Sequence, residues 1–176
     1  VITEATKAIL VEDLFGPPFV VERIRALAQE HDLKIIEDAA QAPGAMWRSE
    51  NAGLLGDIGV FSLNYHKHIH SGEGGIVLTD DDDLAQRMSM IRNHGENVTG
   101  PMGVSDLTNM IGHNFRMTEI EAVIATCQLS KLDRLLQERW DRVIYFEEKM
   151  AGFEGMRAAP VSEGVTHAYY VHANLW

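Results

Sequence analysis

The first apolar stretch, Ala8-Ile9-Leu10-Val11, is short and uninterrupted, the pattern of a strand buried on both faces. Gly16-Pro17-Pro18 then breaks the chain. Proline suits the first turn of a helix, where its missing N–H costs nothing. Apolar residues recur at Val20, Ile24, Leu27 and Ala28, the spacing of one helical face. Leu33-Lys34-Ile35-Ile36 returns to strand. The opening of the chain therefore predicts a β-α-β unit and a parallel sheet.

The alternation continues less regularly. Ile58 to Leu63 and Gly75 to Leu78 read as strands, and residues 81–93 as a helix with Thr79 and Asp80 as candidate caps and Gly95 as its stop. The acid run from Asp80 to Asp83 fits a helix N-terminus, where carboxylates face the positive end of the dipole. A metal site there would need ligands converging from elsewhere. Residues 96–111, with Gly100-Pro101 and Gly103, read as irregular. Thr118-Glu119-Ile120-Glu121 has the spacing of a capping box and opens a helical stretch to about 150. Ile120, Val123, Ile124 and Cys127 share a face; Leu132, Leu135 and Leu136 resume it with a shift, so a break is expected near Leu129–Lys131. After Gly152 the helix ends, and Tyr169-Tyr170-Val171 reads as the start of a strand. There is no internal repeat and no low-complexity linker.

Composition narrows the classes. The chain has 176 residues, with 15 Lys+Arg against 26 Asp+Glu and a formal net charge of -11. That balance argues against unspecific nucleic-acid binding, which needs basic residues to displace phosphate counterions. It leaves small anionic ligands open. Hydrophobic residues make up 45%, ordinary for a folded domain. The lone Cys127 excludes an internal disulfide and a Cys-rich zinc site and fits a reducing, cytoplasmic setting. No apolar run approaches the roughly 18 residues that cross a bilayer, so no membrane partner is expected. The chain begins without Met and stops at Trp176 inside the expected last strand, so a fragment shortened at both ends is expected.

Ligands of open α/β sheets bind beyond the carboxyl ends of the strands, and three segments fall there. Glu37-Asp38-Ala39-Ala40-Gln41 puts an acid at a strand end, followed by small residues that let a flat ligand approach the backbone. An ordinary capping acid would look the same. Phe61-Ser62-Leu63-Asn64-Tyr65-His66-Lys67 ends on a lysine beside aromatic and imidazole groups. Desolvation there would free the amine as a nucleophile toward carbonyls, whereas a solvated surface lysine would be inert. Ser71-Gly72-Glu73-Gly74-Gly75 permits positive φ and close backbone approach, or is a simple strand-entry turn. It is not a dinucleotide fingerprint, because it precedes a strand rather than a helix. His66, His68 and His70 alternate and would share one face of a strand, as metal ligands sometimes do. Lys67 and the adjoining glycines speak against a regular strand.

In order along the chain, Thr6-Lys7-Ala8-Ile9, Leu14-Phe15-Gly16, Glu37-Asp38-Ala39-Ala40-Gln41, Gly56-Asp57-Ile58-Gly59, Phe61-Ser62 with Lys67, Gly72-Glu73-Gly74-Gly75, Arg92-Asn93-His94-Gly95 and Gly112-His113-Asn114-Phe115-Arg116-Met117 resemble the DegT/DnrJ/EryC1/StrS family. These are sugar aminotransferases of fold type I that use pyridoxal 5'-phosphate (PLP). The resemblance implies a three-layer α/β fold with a mainly parallel sheet, incompletely represented, and the start of a small domain. It divides the chain into residues 1–117 of the PLP-binding domain, an interdomain helical region 118–150, and the small domain from 151 to 176. It implies that Lys67 forms the Schiff base with PLP and moves the substrate proton. Asp38 would pair with the pyridine nitrogen, Gln41 with the phenolic oxygen and Ser62 with the phosphate. Asn114 would reach the phosphate held by a neighbouring subunit, which implies a homodimer, with Arg116 a weaker candidate nearby. His66 and His68 would flank the lysine and face substrate. The implied reaction converts a keto sugar, nucleotide-linked, to an amino sugar with glutamate or glutamine as donor. Relatives with histidine at the lysine position act as deoxysugar dehydratases, one alternative. A metal-dependent hydrolase using the alternating histidines and a non-catalytic relative are others.

Overall fold

The computed structural model describes residues 2–96 and 110–176. Gly100-Pro101 and Gly103 lie outside the described residues. Strand β1 (Ala8–Glu12), helix α1 (Val21–Glu30) and strand β2 (Lys34–Asp38) form the expected β-α-β unit. Strands β3 (Met46–Trp47) and β4 (Glu50–Asn51) are short, and β5 (Ile58–Ser62), β6 (Gly75–Leu78) and helix α2 (Asp82–Arg92) follow. Helices α3 (Glu119–Leu129) and α4 (Leu132–Met150) come next, then the two-residue strands β7 (Arg157–Ala158), β8 (Val165–Thr166) and β9 (Asn174–Leu175).

The main sheet has the order β1-β2-β5-β6. The β1–β2 and β2–β5 pairs are parallel, and β5–β6 is antiparallel. This is the expected mixed α/β architecture with a mainly parallel sheet. Side chains alternate across a strand, and in β2 that alternation separates two acids. Glu37 shares a face with buried Ile35. Asp38 points to the other face, in register with Glu12 of β1 and Val60 of β5. Ser62, two residues beyond Val60, lies on Asp38's side.

Helix α1 buries Val21 and Ala28 and half-buries Ile24 and Leu27, so the expected stripe holds except at Val20, which is the exposed N-cap residue. Helix α2 is capped by Asp81 rather than Thr79 or Asp80, because Asp81 is the last extended residue before the helix and its carboxylate accepts from the Asp83 and Leu84 amides. Thr79 instead donates to the Asp57 carbonyl. The capping box at Thr118 and Glu121 is present, and the break after Leu129 separates α3 from α4. The core joins Ala39, Ala42, Ala45 and Ala52 to Leu136 and Ala168, with Phe61, Leu132 and Trp140 packed around them.

Tyr169-Tyr170-Val171 is not a strand. The Ala168 amide donates to the Gly16 carbonyl and the Val171 amide to the Phe15 carbonyl, so the segment is folded onto the loop after β1. Tyr169 has φ +49°, outside the extended region. No helix among the described residues is long and apolar enough to cross a membrane.

Candidate functional site at the carboxyl ends of the parallel strands

Asp38 ends β2, and its Oδ1 accepts the Ala40 amide at 3.0 Å. Among the described residues Oδ2 accepts nothing, so half of the carboxylate is uncommitted. One turn further on, Gln41 Oε1 accepts the Phe15 amide at 2.8 Å, and among the described residues its NH2 has no acceptor. Ser62 ends β5, and its hydroxyl oxygen accepts the Asn64 amide at 3.2 Å, while among the described residues its own proton has no acceptor.

Lys67 stands in the connection between β5 and β6. The antiparallel return closes this loop, with Lys67 N donating to Asn64 O and Ser71 N to Leu63 O. Lys67 is half-buried and makes no ion pair among the described residues. Its Nζ lies 4.9 Å from the centre of the Tyr170 ring. The connection is bent, so the three histidines do not share a face. His66 is exposed, while His68 is buried, with Nε2 2.9 Å from the Ala168 carbonyl instead of facing a ligand. Among the described residues no three His, Cys, Asp or Glu side chains converge as metal ligands.

A hydrogen-bonded chain joins these pieces. Asp13 N donates to Asp38 O, Phe15 N to Gln41, and Ala168 N to Gly16 O, while the His68 ring reaches Ala168 O. Gly16 is the crossing point: with φ +116°, a Cβ there would stand 3.0 Å from the amide nitrogens of both Tyr169 and Tyr170. A glycine is required by both the backbone conformation and the space.

Behind Asp38 lies a second acid pair. Glu37 is fully buried and accepts the Gly53 and Leu55 amides at 2.7 and 2.8 Å. Asp13 is also fully buried; its Oδ1 accepts the Phe19 amide at 2.9 Å, and among the described residues Oδ2 meets no donor. Burial first, and then the Glu37 charge, push the Asp13 carboxyl up to about 8. Two carboxylates would repel. A protonated Asp13 can instead donate to Glu37, which resolves the orphaned oxygen.

Over residues 1–175 the chain matches the DegT/DnrJ/EryC1/StrS aminotransferase family. The chain belongs to that family. Members similar to it include GDP-perosamine synthase of Caulobacter vibrioides, 39% identical over 85% of this chain and 39% of the relative. The L-glutamine:2-deoxy-scyllo-inosose aminotransferase of Streptomyces paromomycinus is 36% identical over 98% of this chain and 42% of its own. The X-ray structure of an aminotransferase from Psychrobacter cryohalolentis superposes with a TM-score of 0.87 at 32% identity, over 97% of this chain and 47% of that one. The chain thus spans less than half the length of these DegT/DnrJ/EryC1/StrS relatives.

Within this family member, Asp38, Gln41, Ser62 and Lys67 gather at the strand ends. Asn114 sits elsewhere: it is exposed and bridges Asn93 at the end of α2, and Arg116 donates to the Asn93 side chain at 2.8 Å. Residues that sequence alone did not single out also contact these segments. Asp13 had a signal, as an acid at a strand end just like Asp38. Tyr170 and Ala168 had none, because only the folded chain brings them to Lys67.

Proposed function

We propose that this chain is the lysine-bearing part of a PLP-dependent aminotransferase that converts a keto sugar, carried on a nucleotide, to an amino sugar with glutamate or glutamine as donor. The observation that carries the reading is the presence, in a chain of this family, of a half-buried lysine in the β5–β6 connection, Lys67, with no ion pair among the described residues, together with a half-committed Asp38 carboxylate at the end of β2. The donor set fits the cofactor. PLP, when bound, supplies an electron sink for the carbanion formed at the substrate carbon.

In this reading Lys67 would hold the cofactor through its Nζ and would carry a proton there. Asp38 Oδ2 would keep the ring nitrogen protonated by a charge-assisted hydrogen bond. The Gln41 NH2 would donate to the phenolic oxygen and the Ser62 hydroxyl to the phosphate. The Asn114 amide, exposed on its own chain, would serve the phosphate of a second subunit in a homodimer. The division into a cofactor domain to 117, a helical region 118–150 and a small domain beyond belongs to the same proposal. The names of the Streptomyces paromomycinus and Psychrobacter cryohalolentis aminotransferases support transamination over dehydration, and the first of them names L-glutamine together with 2-deoxy-scyllo-inosose.

The test is borohydride reduction of the full-length protein followed by peptide mapping. Cofactor label on Lys67, lost in Lys67→Ala, is expected. Label on Lys34, or on no lysine, would overturn the assignment.

A further inference from the structure

Tyr170 reaches Lys67 from the far end of the chain. Its ring centre stands 4.9 Å from Lys67 Nζ, inside the roughly 6 Å over which the negative face of an aromatic ring attracts an ammonium. The same ring lies 5.6 Å from the His68 imidazole. One aromatic side chain therefore covers two consecutive residues of the lysine loop.

The backbone around Tyr170 is fixed from four directions. Ala168 N and Val171 N donate to Gly16 O and Phe15 O. Arg139 donates to Tyr169 O at 3.1 Å, and the Trp140 indole to His167 O at 2.7 Å. Tyr169 N donates to its neighbour His167 at 2.8 Å. The left-handed φ of +49° at Tyr169 is strained for an aromatic residue, and such a conformation persists where the surroundings over-determine it. The last bond comes from the lysine loop itself. His68 is 6% exposed, and its Nε2 is 2.9 Å from Ala168 O. A carbonyl only accepts, so Nε2 carries the proton and Nδ1 is a buried lone pair without a partner among the described residues. Burial, and then the Arg139 and Lys67 charges, depress this imidazole to about 4, which keeps it neutral and its tautomer single.

We infer that Tyr170 is a positioning residue for Lys67, and that the His68–Ala168 hydrogen bond is the clasp that keeps its ring over the lysine amine. The inference rests on the reading of Lys67 as the cofactor anchor. A lysine side chain has many rotamers, and ordering it costs entropy. A ring fixed on one side of Nζ removes part of that freedom before the cofactor arrives. It also excludes water from that side and leaves the opposite side for the aldehyde carbon. Residues near the end of the chain thus set the geometry of a group in its middle.

The experiment uses the full-length holoenzyme, with kcat, KM for the amino donor and the visible circular dichroism of the lysine-bound cofactor as readouts. Tyr170→Phe keeps the ring and should hold kcat and the dichroic band within about twofold. Tyr170→Leu should lower kcat about tenfold and lose most of the band, with KM for the donor unchanged. His68→Leu should reproduce that loss, and the double variant should add little to it, because the two act through one contact. If Tyr170→Leu does not fold, a multiply fluorinated phenylalanine in place of Tyr170 keeps the shape and weakens the ring's negative face. A partial loss of kcat and band is expected from it. Wild-type kcat and dichroism in either variant, with borohydride label still on Lys67, would overturn the positioning role and leave the anchor standing. Absence of label from Lys67 would overturn the anchor, and this inference with it.

Discussion

Asp13 is a carboxyl that meets Glu37 rather than water, and its protonation has a cost that can be measured. Its ordinary value of 3.8 is raised to about 8 in the fold. Between those values the folded chain keeps a proton that the unfolded chain has released. Stability therefore falls as pH rises across this window, by up to about 1.4 kcal/mol per pH unit, and levels off above it. Asp13→Asn keeps an oxygen for the Phe19 amide and offers Glu37 a permanent N–H. The variant should lose the alkaline slope and exceed wild type in urea midpoint at pH about 8. Equal midpoints there would show that Asp13 is ionised in the fold. His68 and His167 act with the opposite sign: burial depresses both to about 4. The fold keeps them neutral where the unfolded chain charges them, so stability falls as pH drops from about 6.5 toward 4. These three groups together place the stability maximum near pH 6.5, the ordinary histidine value. Of the candidate side chains, Asp38 and Lys67 drew notice in the sequence because one ends and the other follows a readable strand, whereas Gln41 and Ser62 entered through the family resemblance alone, and the roles of all four belong to the proposal. Tyr170 was not, since nothing local distinguishes a tyrosine that will meet a lysine from one that will not.

Helix α3 opens on a complete capping box and buries no residue among those described. Local bonds therefore carry much of its start. Thr118→Ala removes the acceptor for the Glu121 amide and should cost about 1 kcal/mol in chemical denaturation of the full-length protein. A loss below the error of the midpoint would mean that packing, not the cap, holds the helix end. This cap was readable because both partners lie within one turn. Strands β3, β4, β7 and β8 were not readable, since two residues are too few to show a period, while β9 falls inside the strand expected to run from Tyr169 to Trp176. The stripe on α1 began at Val21 rather than Val20 because the helix starts one residue later than the apolar run. The supposed strand at 169–171 failed for a different reason. Its β-favouring side chains were outweighed by backbone bonds to Phe15 and Gly16, far away in sequence.

Across the whole molecule, apolar surface gathers on two faces. Ile120 and Val123 of α3 are 75% and 61% exposed, and Ile76, Val77 and Leu78 of the edge strand β6 are open as well. Exposed patches and unpaired strand edges of this kind mark contact surfaces, and the chain is under half the length of its relatives. The isolated 176-residue chain should bind a hydrophobic dye and self-associate in sedimentation, and a protein of the relatives' full length should bind less of the dye. A dye-silent monomer from the isolated chain would show that these faces need no cover. The packing beneath the site has its own consequence. Ala39, Ala42, Ala45, Ala52 and Ala168 meet where the segment after Asp38 touches the segment before Tyr170. A methyl group leaves almost nothing to trim, so mutational drift at these positions runs in one direction, toward larger side chains. An enlargement that wedged the two segments apart would lift Tyr170 from Lys67, so the reach of the lysine would have a ceiling set by the size of residues that never touch it.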